Sequence, residues 1–128
     1  MLPLGWLRRL FGNRGEQLAA DYLRKQGYEI VARQVRNRAG EIDIIARHQQ
    51  RIVFVEVKTR SSHKAGHPAE AVDRHKQTQI ARAALIWLKH HKLLNQGCRF
   101  DVIAITWHND KQPQIEHFIA AFEPPVDW

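Results

Sequence analysis

Cysteine, acid and long apolar runs are what this chain has least of. Cys98 is the one thiol in 128 residues, so it builds no disulfide framework and no thiolate zinc site. A reducing, cytoplasmic location follows as an expectation, with Cys98 itself filling core space. The opening MLPLGWLRRLF holds apolar residues but runs directly into basic ones. It is too short for a membrane span and lacks the pattern of a secretory signal. No internal repeat or low-complexity segment is present. Acids are outnumbered, 13 against 20 basic residues, for a net charge of +7 and a pI of about 10.1. That balance disfavours cationic partners and favours an anionic one such as nucleic acid, although a merely soluble basic protein has the same charge. With 44% hydrophobic residues, the length suits one domain over residues 1–128, with 1–10 and 123–128 as peripheral tails.

What is present is concentrated in GEIDIIARHQQRIVFVEVKTR, residues 40–60. Two β-rich runs, Glu41–Arg47 and Arg51–Thr59, flank a short polar break and predict an antiparallel hairpin. Ile, Val and Phe fill both runs, so the strands are expected to be central and covered on both faces. Asp43, Glu56 and Lys58 nevertheless interrupt them, and a lone carboxylate buried there costs several kcal/mol or takes a proton. With a loop of Gln49–Gln50, or of the four residues 48–51, Asp43 faces Glu56, Glu41 faces Lys58, and Ile45 faces Phe54. A three-residue loop would instead put the two acids on opposite faces, and Gln-Gln is a poorer turn than Asn-Gly. In the first register the like charges sit about 4.5–5.5 Å apart at Cβ and need a cation between them. Mg²⁺, or Mn²⁺ in its place, takes such oxygen ligands, and Val57 can add its backbone carbonyl. Lys58 shares the face of Glu56 and is placed to orient a water or neutralise a phosphate. The plain alternative is a same-face ion pair between Glu56 and Lys58.

Around the hairpin, residues 11–26 read as a helix with an apolar stripe through Phe11, Gly15, Leu18, Ala19, Tyr22 and Leu23. Asn13 is expected near its cap and Gly27 at its end. Glu16 then lies one turn in, either as a solvated acid favoured by the dipole or as part of the hairpin's acidic face. Residues 28–36 read as a strand, leading through Arg33, Arg36 and Arg38 to Gly40; these arginines either meet phosphates or form a solvated loop. After the hairpin comes the polar stretch RSSHKAGHPAE, whose Ser61, Ser62, His63 and Lys64 are candidates for phosphate contact. Arg60 joins them. His63 and His67 are spaced four apart, but Gly66 and Pro68 argue against the helix a zinc pair would need. Asp73 caps a second helix reaching about His91, buried through Ile80, Ala83, Ala84, Trp87 and Leu88. Lys76 extends that stripe, either reaching the acids or a phosphate or snorkelling to solvent. Residues 98–107 and 114–122 read as two further strands, with Asp101 hydrogen-bonded and structural in the first. The order α-β-β-β-α-β-β implies an α/β fold, a mixed central sheet flanked by two helices in three layers.

GEIDII followed by FVEVKTR, with GEQLAADYL before them and AVDRHKQTQIARAALIWL and CRFDVIAI after, resembles the YraN family of small bacterial proteins across about residues 10–122. That family is similar to the restriction-endonuclease-like superfamily, named for its PD-(D/E)XK motif, and especially to archaeal Holliday-junction resolvases. The resemblance implies that Asp43 matches the motif aspartate, Glu56 its second acid and Lys58 its lysine. Glu16 matches a helix-one glutamate of the resolvases. Ile42 departs from the proline in the motif's name. The implied function is a Mg²⁺-dependent endonuclease acting on DNA, of branched or damaged form. Asp43 and Glu56, with Val57 and Glu16, would hold metal, while Arg36, Arg38, Arg60, Lys64 and Lys76 would meet nucleic acid. Resolvases act as dimers, so the resemblance admits a homodimer, although the sequence displays no dimer seam. The alternative is a nucleic-acid-binding module that keeps the fold without turnover.

Overall fold

The computed structural model describes residues 4–61 and 72–124, with side chains from residue 13 onward. Its elements are α1 (Leu4–Lys25), β1 (Glu29–Asn37), β2 (Gly40–His48), β3 (Arg51–Ser61), α2 (Arg74–His90), β4 (Cys98–Trp107) and β5 (Gln114–Phe118). The strands form one sheet in the order β1-β2-β3-β4-β5. Neighbours are antiparallel except β3 and β4, which run parallel because α2 carries the chain back across the sheet. The expected α-β-β-β-α-β-β order and mixed sheet are what the molecule has.

The two helices cover opposite faces. Ala19, Ala20 and Leu23 of α1 pack with Ile44, Val53, Val55, Ile103 and Ile105. Ile80, Ala83, Ala84, Trp87 and Leu88 of α2 pack with Ile45, Phe54, Phe100 and Val102. Period-two alternation along β3 explains the division, since Val53 and Val55 belong to one layer and Ile52 and Phe54 to the other. The three layers and the central place of β2 and β3 follow.

Two boundaries differ by several residues from the sequence expectation. Helix α1 starts at Leu4 rather than Phe11, because Leu4 and Leu7 carry the apolar step upstream of Phe11. Asn13 is therefore inside the helix and not its cap; its Oδ1 accepts from Gln34 Nε2 at 2.7 Å. Glu16 consequently lies several turns from the helix start, out of reach of the dipole. Strand β5 stops at Phe118, short of Phe122, because Ala120 takes φ +52° and turns its N–H to Asp101 Oδ1. The Asp73 cap is present, with its side chain accepting from Lys76 N at 2.9 Å.

Candidate functional site: two carboxylates at a break in the sheet

The turn after β2 is the two-residue Gln49–Gln50, both with positive φ (51° and 66°). It sets the register Ile44–Val55, Ile45–Phe54, Ala46–Val53, Arg47–Ile52 and His48–Arg51, the one that directs Asp43 and Glu56 toward each other. Pairing stops at Ile44–Val55. Beyond it Asp43 Oδ2 accepts from Val57 N at 2.8 Å, so a side chain takes over a backbone donor. Glu41 does not pair with Lys58 as the extended register implied; it meets Arg36 across β1, at 3.5 Å.

The break has a counterpart on the other side. Arg33 pairs with Ile44 and Val35 with Ile42, which leaves Asp43 opposite Gln34, a non-glycine residue at φ +51°. Alternation slips at the same level in β2. Ile42 packs in the α2 layer while Ile44, two residues on, packs in the α1 layer. A kink shared by two strands releases Asp43 from the strict in-and-out pattern and turns it toward Glu56. Strained backbone of this kind collects at functional positions.

Asp43 and Glu56 face each other closely enough for each carboxyl to shift the titration of the other. Burial is the largest influence on both and raises both pKa values. For Asp43 the Val57 N–H opposes the rise, Glu41 adds to it, and Lys76 offsets it. Glu56 is only 7% exposed. Burial and then the Asp43 charge push it to about 7, against the pull of Lys76 and Lys58. The pair thus holds a proton near neutrality. Lys58 is two residues beyond Glu56 on the same face, and Lys76 acts from the first turn of α2. Gly40 brings that helix close, since a Cβ there would lie 2.7 Å from Gln79 Cγ.

The other candidate residues fall in three groups. Glu16 is near enough for Asp43 to raise its pKa, after burial and against its bond to Arg33; its Oε1 accepts from Arg33 Nε at 3.1 Å. Val57 points its side chain into the α1 layer and gives its N–H to Asp43. Arg60 donates to Thr106 Oγ1 at 3.4 Å, Arg36 holds Glu41, and Arg38 lies in the β1–β2 turn beside the outer face of α2. Lys64 lies outside the described residues, as do Ser62, His63 and His67. Among the described residues no group of three or more His, Cys, Asp or Glu side chains converges. Among the described residues the acidic centre is Asp43 and Glu56, with Glu41 and Glu16 acting on Asp43 or acted on by it through charge.

Asp101 is hydrogen-bonded as expected, but in a larger network than its neighbours in sequence suggested. It is fully buried, receives two bonds from Arg99 at 2.8 Å, and stands 2.7 Å from His117 Nε2. Arg99 also donates to Tyr28 Oη at 2.7 Å. Burial disfavours its charge, yet His117, Arg99 and the Ala120 N–H together hold its pKa below the usual carboxylate value. The Arg99-x-Asp101 spacing put both side chains on one face in advance; His117 carried no local signal.

Residues 15–105 match the family described as Uncharacterised protein family UPF0102. The chain belongs to that family. It is 50% identical over 115 residues to a UPF0102 protein of Rhodopirellula baltica, covering 87% of this chain and 69% of that one. It is 52% identical over 112 residues to one of Geobacter metallireducens, covering 88% and 91%, and 50% identical over 115 residues to one of Geobacter sulfurreducens, covering 90% of each. The matched span of this UPF0102 chain includes Glu16, Asp43, Glu56, Lys58, Lys76 and Asp101.

Proposed function

We propose that this UPF0102 protein is a Mg²⁺-dependent endonuclease of the restriction-endonuclease-like kind, hydrolysing phosphodiester bonds in DNA. The observation that carries the reading is the close approach of the partly buried Asp43 to the buried Glu56, with two lysines acting on the pair. Two acids in contact at a low-dielectric site are mutually destabilising once both are charged. A divalent cation removes that penalty, and a proton substitutes for it when the cation is absent. A pair of carboxylates suits Mg²⁺, which takes one or two carboxylates and completes its shell with water and phosphate oxygens. Asp43 and Glu56 would hold the ion, with the Val57 carbonyl as a further donor. When bound, the ion supplies the positive charge that polarises a phosphoryl oxygen and activates water.

The remaining steps belong to this chain's own side chains. The Val57 N–H fixes the orientation of Asp43, so one of its oxygens is committed before substrate arrives. Lys58 orients the attacking water or meets the charge that grows on the phosphate. Lys76, at the start of α2, balances the acids and contacts a neighbouring phosphate. Glu16, held by Arg33, supports the site through its charge on Asp43. Arg36, Arg38, Arg60 and Lys64 supply further phosphate contacts, in keeping with the net charge of +7.

Cleavage of duplex, single-stranded, flapped and four-way DNA, with Mg²⁺ or Mn²⁺ and with EDTA, tests the reading. Expected are metal-dependent nicks abolished by Asp43→Asn and reduced at least about a hundredfold by Lys58→Ala. Salt-sensitive binding without cleavage under any divalent ion would replace the reading with that of a binding module. A preference for flapped or four-way over plain duplex DNA would extend it to branched substrates.

A further inference from the structure

Helix α2 carries a second stripe that the core does not use. Its buried residues are Ile80, Ala81, Ala83, Ala84, Trp87 and Leu88. At about 100° per residue, Arg82, Leu85, Ile86 and Lys89 fall together on the opposite side. The spacing is i, i+3, i+4, i+7, with two aliphatic residues between two cations. These four residues, with Arg38 and Ala39 of the β1–β2 turn, line an open groove of about 610 Å³. A second cavity of about 400 Å³ continues it past Leu85, Leu88 and Lys89 to Leu94 and Cys98. Leu94 is 50% exposed, among the few large apolar side chains left open to solvent. No carboxylate among the described residues pairs with Arg38, Arg82 or Lys89.

We infer that this groove is a docking surface for a partner protein that presents an acidic amphipathic helix, with aliphatic side chains flanked by Asp or Glu. An aliphatic floor with a cationic rim is the complement of such a helix, and helix-in-groove recognition uses anchors at this same i, i+3, i+4, i+7 spacing. The alternatives fit less well. Single-stranded nucleic acid is held on aromatic platforms, and no aromatic residue lines either cavity. A second copy of this chain would bring the same cations against each other in a two-fold contact. The chain's own segments do not supply such a helix: residues 1–12 contain Arg8 and Arg9 and no acid, residues 62–71 contain one acid, Glu70, and residues 125–128 contain one, Asp127, in four residues. The groove is lined by neither Asp43 nor Glu56 and shares only Arg38 with the proposed phosphate contacts, so Arg82, Leu85, Ile86 and Lys89 test it apart from the proposed nuclease activity.

The test uses the full chain and a panel of synthetic helical peptides of about three to four turns, with Leu and Ile at the anchor positions and Glu beside them. Binding is read by fluorescence anisotropy and located by methyl chemical shifts of Leu85 and Ile86. Acidic peptides are expected to bind there, and Leu85→Glu to weaken them about tenfold or more, the size of one hot-spot residue. Arg82→Glu with Lys89→Glu should do the same and restore binding to a peptide whose Glu residues are exchanged for Lys. Circular dichroism confirms that the variants fold. The inference is overturned if no acidic peptide shifts these methyls, or if the charge exchange fails to move the preference. It is also overturned if an oligonucleotide occupies the groove instead, or if the chain sediments as a dimer that Leu85→Glu dissolves.

Discussion

Glu56 is a side chain whose burial costs stability. Its pKa lies at about 7, above the ordinary 4.5. Between those values the folded state binds the proton more tightly than the unfolded chain, so the contribution of Glu56 to stability is greatest below about pH 4.5 and falls as pH rises toward 7. The loss is of order 3 kcal/mol, at about 1.4 kcal/mol per unit. Glu56→Gln removes the charge and keeps the shape. The variant should melt higher than the parent at pH 8 and close to it at pH 5, and Mg²⁺ should raise the melting temperature of the parent alone. A parent and variant with the same pH profile would show that the Glu56 carboxyl is not strained. Asp101 behaves in the opposite sense. Its depressed pKa makes it a stabilising charge, present above the ordinary carboxylate value and lost as pH falls through the folded one. Asp101→Asn leaves the partly buried Arg99 without its counter-ion and should cost about 2–3 kcal/mol in a denaturant titration.

The hairpin is the element on which the site depends, and its turn is not optimal. Gln49 and Gln50 both take positive φ, where Asn-Gly is the preferred pair. Exchanging them for Asn-Gly should stabilise the protein by about 1 kcal/mol with cleavage and metal affinity unchanged. A loss of stability would mean that one of the glutamines makes a needed contact. Helix α1 meets β3 at Gly15, where an added Cβ would stand 2.5 Å from Thr59 Cγ2. Gly15→Ala should therefore shift the helix or rotate the threonine, at about 1–3 kcal/mol, and disturb the neighbouring Glu16–Arg33 pair. These two elements also mark how far sequence reached. The register was legible because one loop length places two like charges on one face inside apolar runs, and few arrangements explain such a pair. The separation of β2 from β3 beyond Ile44 was not legible. It depends on Asp43 taking the Val57 N–H and on the backbone of Gln34, for which glutamine gives no signal.

At the scale of the molecule, the three layers followed from the order of periodic segments, and α2 matched its expected buried face residue by residue. What escaped was tertiary. The start of α1 was obscured because Asn13 looks like a cap and serves instead as a partner for Gln34. The Asp101 network draws on His117 from β5 and Tyr28 from the connection between α1 and β1, contacts that no local pattern encodes. The outer stripe of α2 was present in the spacing of Arg82, Leu85, Ile86 and Lys89, and it became a groove only when the β1–β2 turn closed one side. The same whole-molecule view yields a prediction about charge. Binding to duplex DNA should weaken with salt, log K falling by about 0.9 per phosphate neutralised against log salt concentration. Lys58→Ala or Lys76→Ala should each lower that slope by about one.

In the proposed function, Asp43 and Glu56 keep a place for a divalent ion that a proton fills in its absence. Calorimetric titration with Mn²⁺, bound more tightly than Mg²⁺ at carboxylate sites, tests it at pH 6.5 in buffers of different ionisation heat. Binding of one ion with release of up to about one proton, lost in both Asp43→Asn and Glu56→Gln, is the predicted result. Binding that survives both substitutions, or no binding with or without DNA, would contradict it.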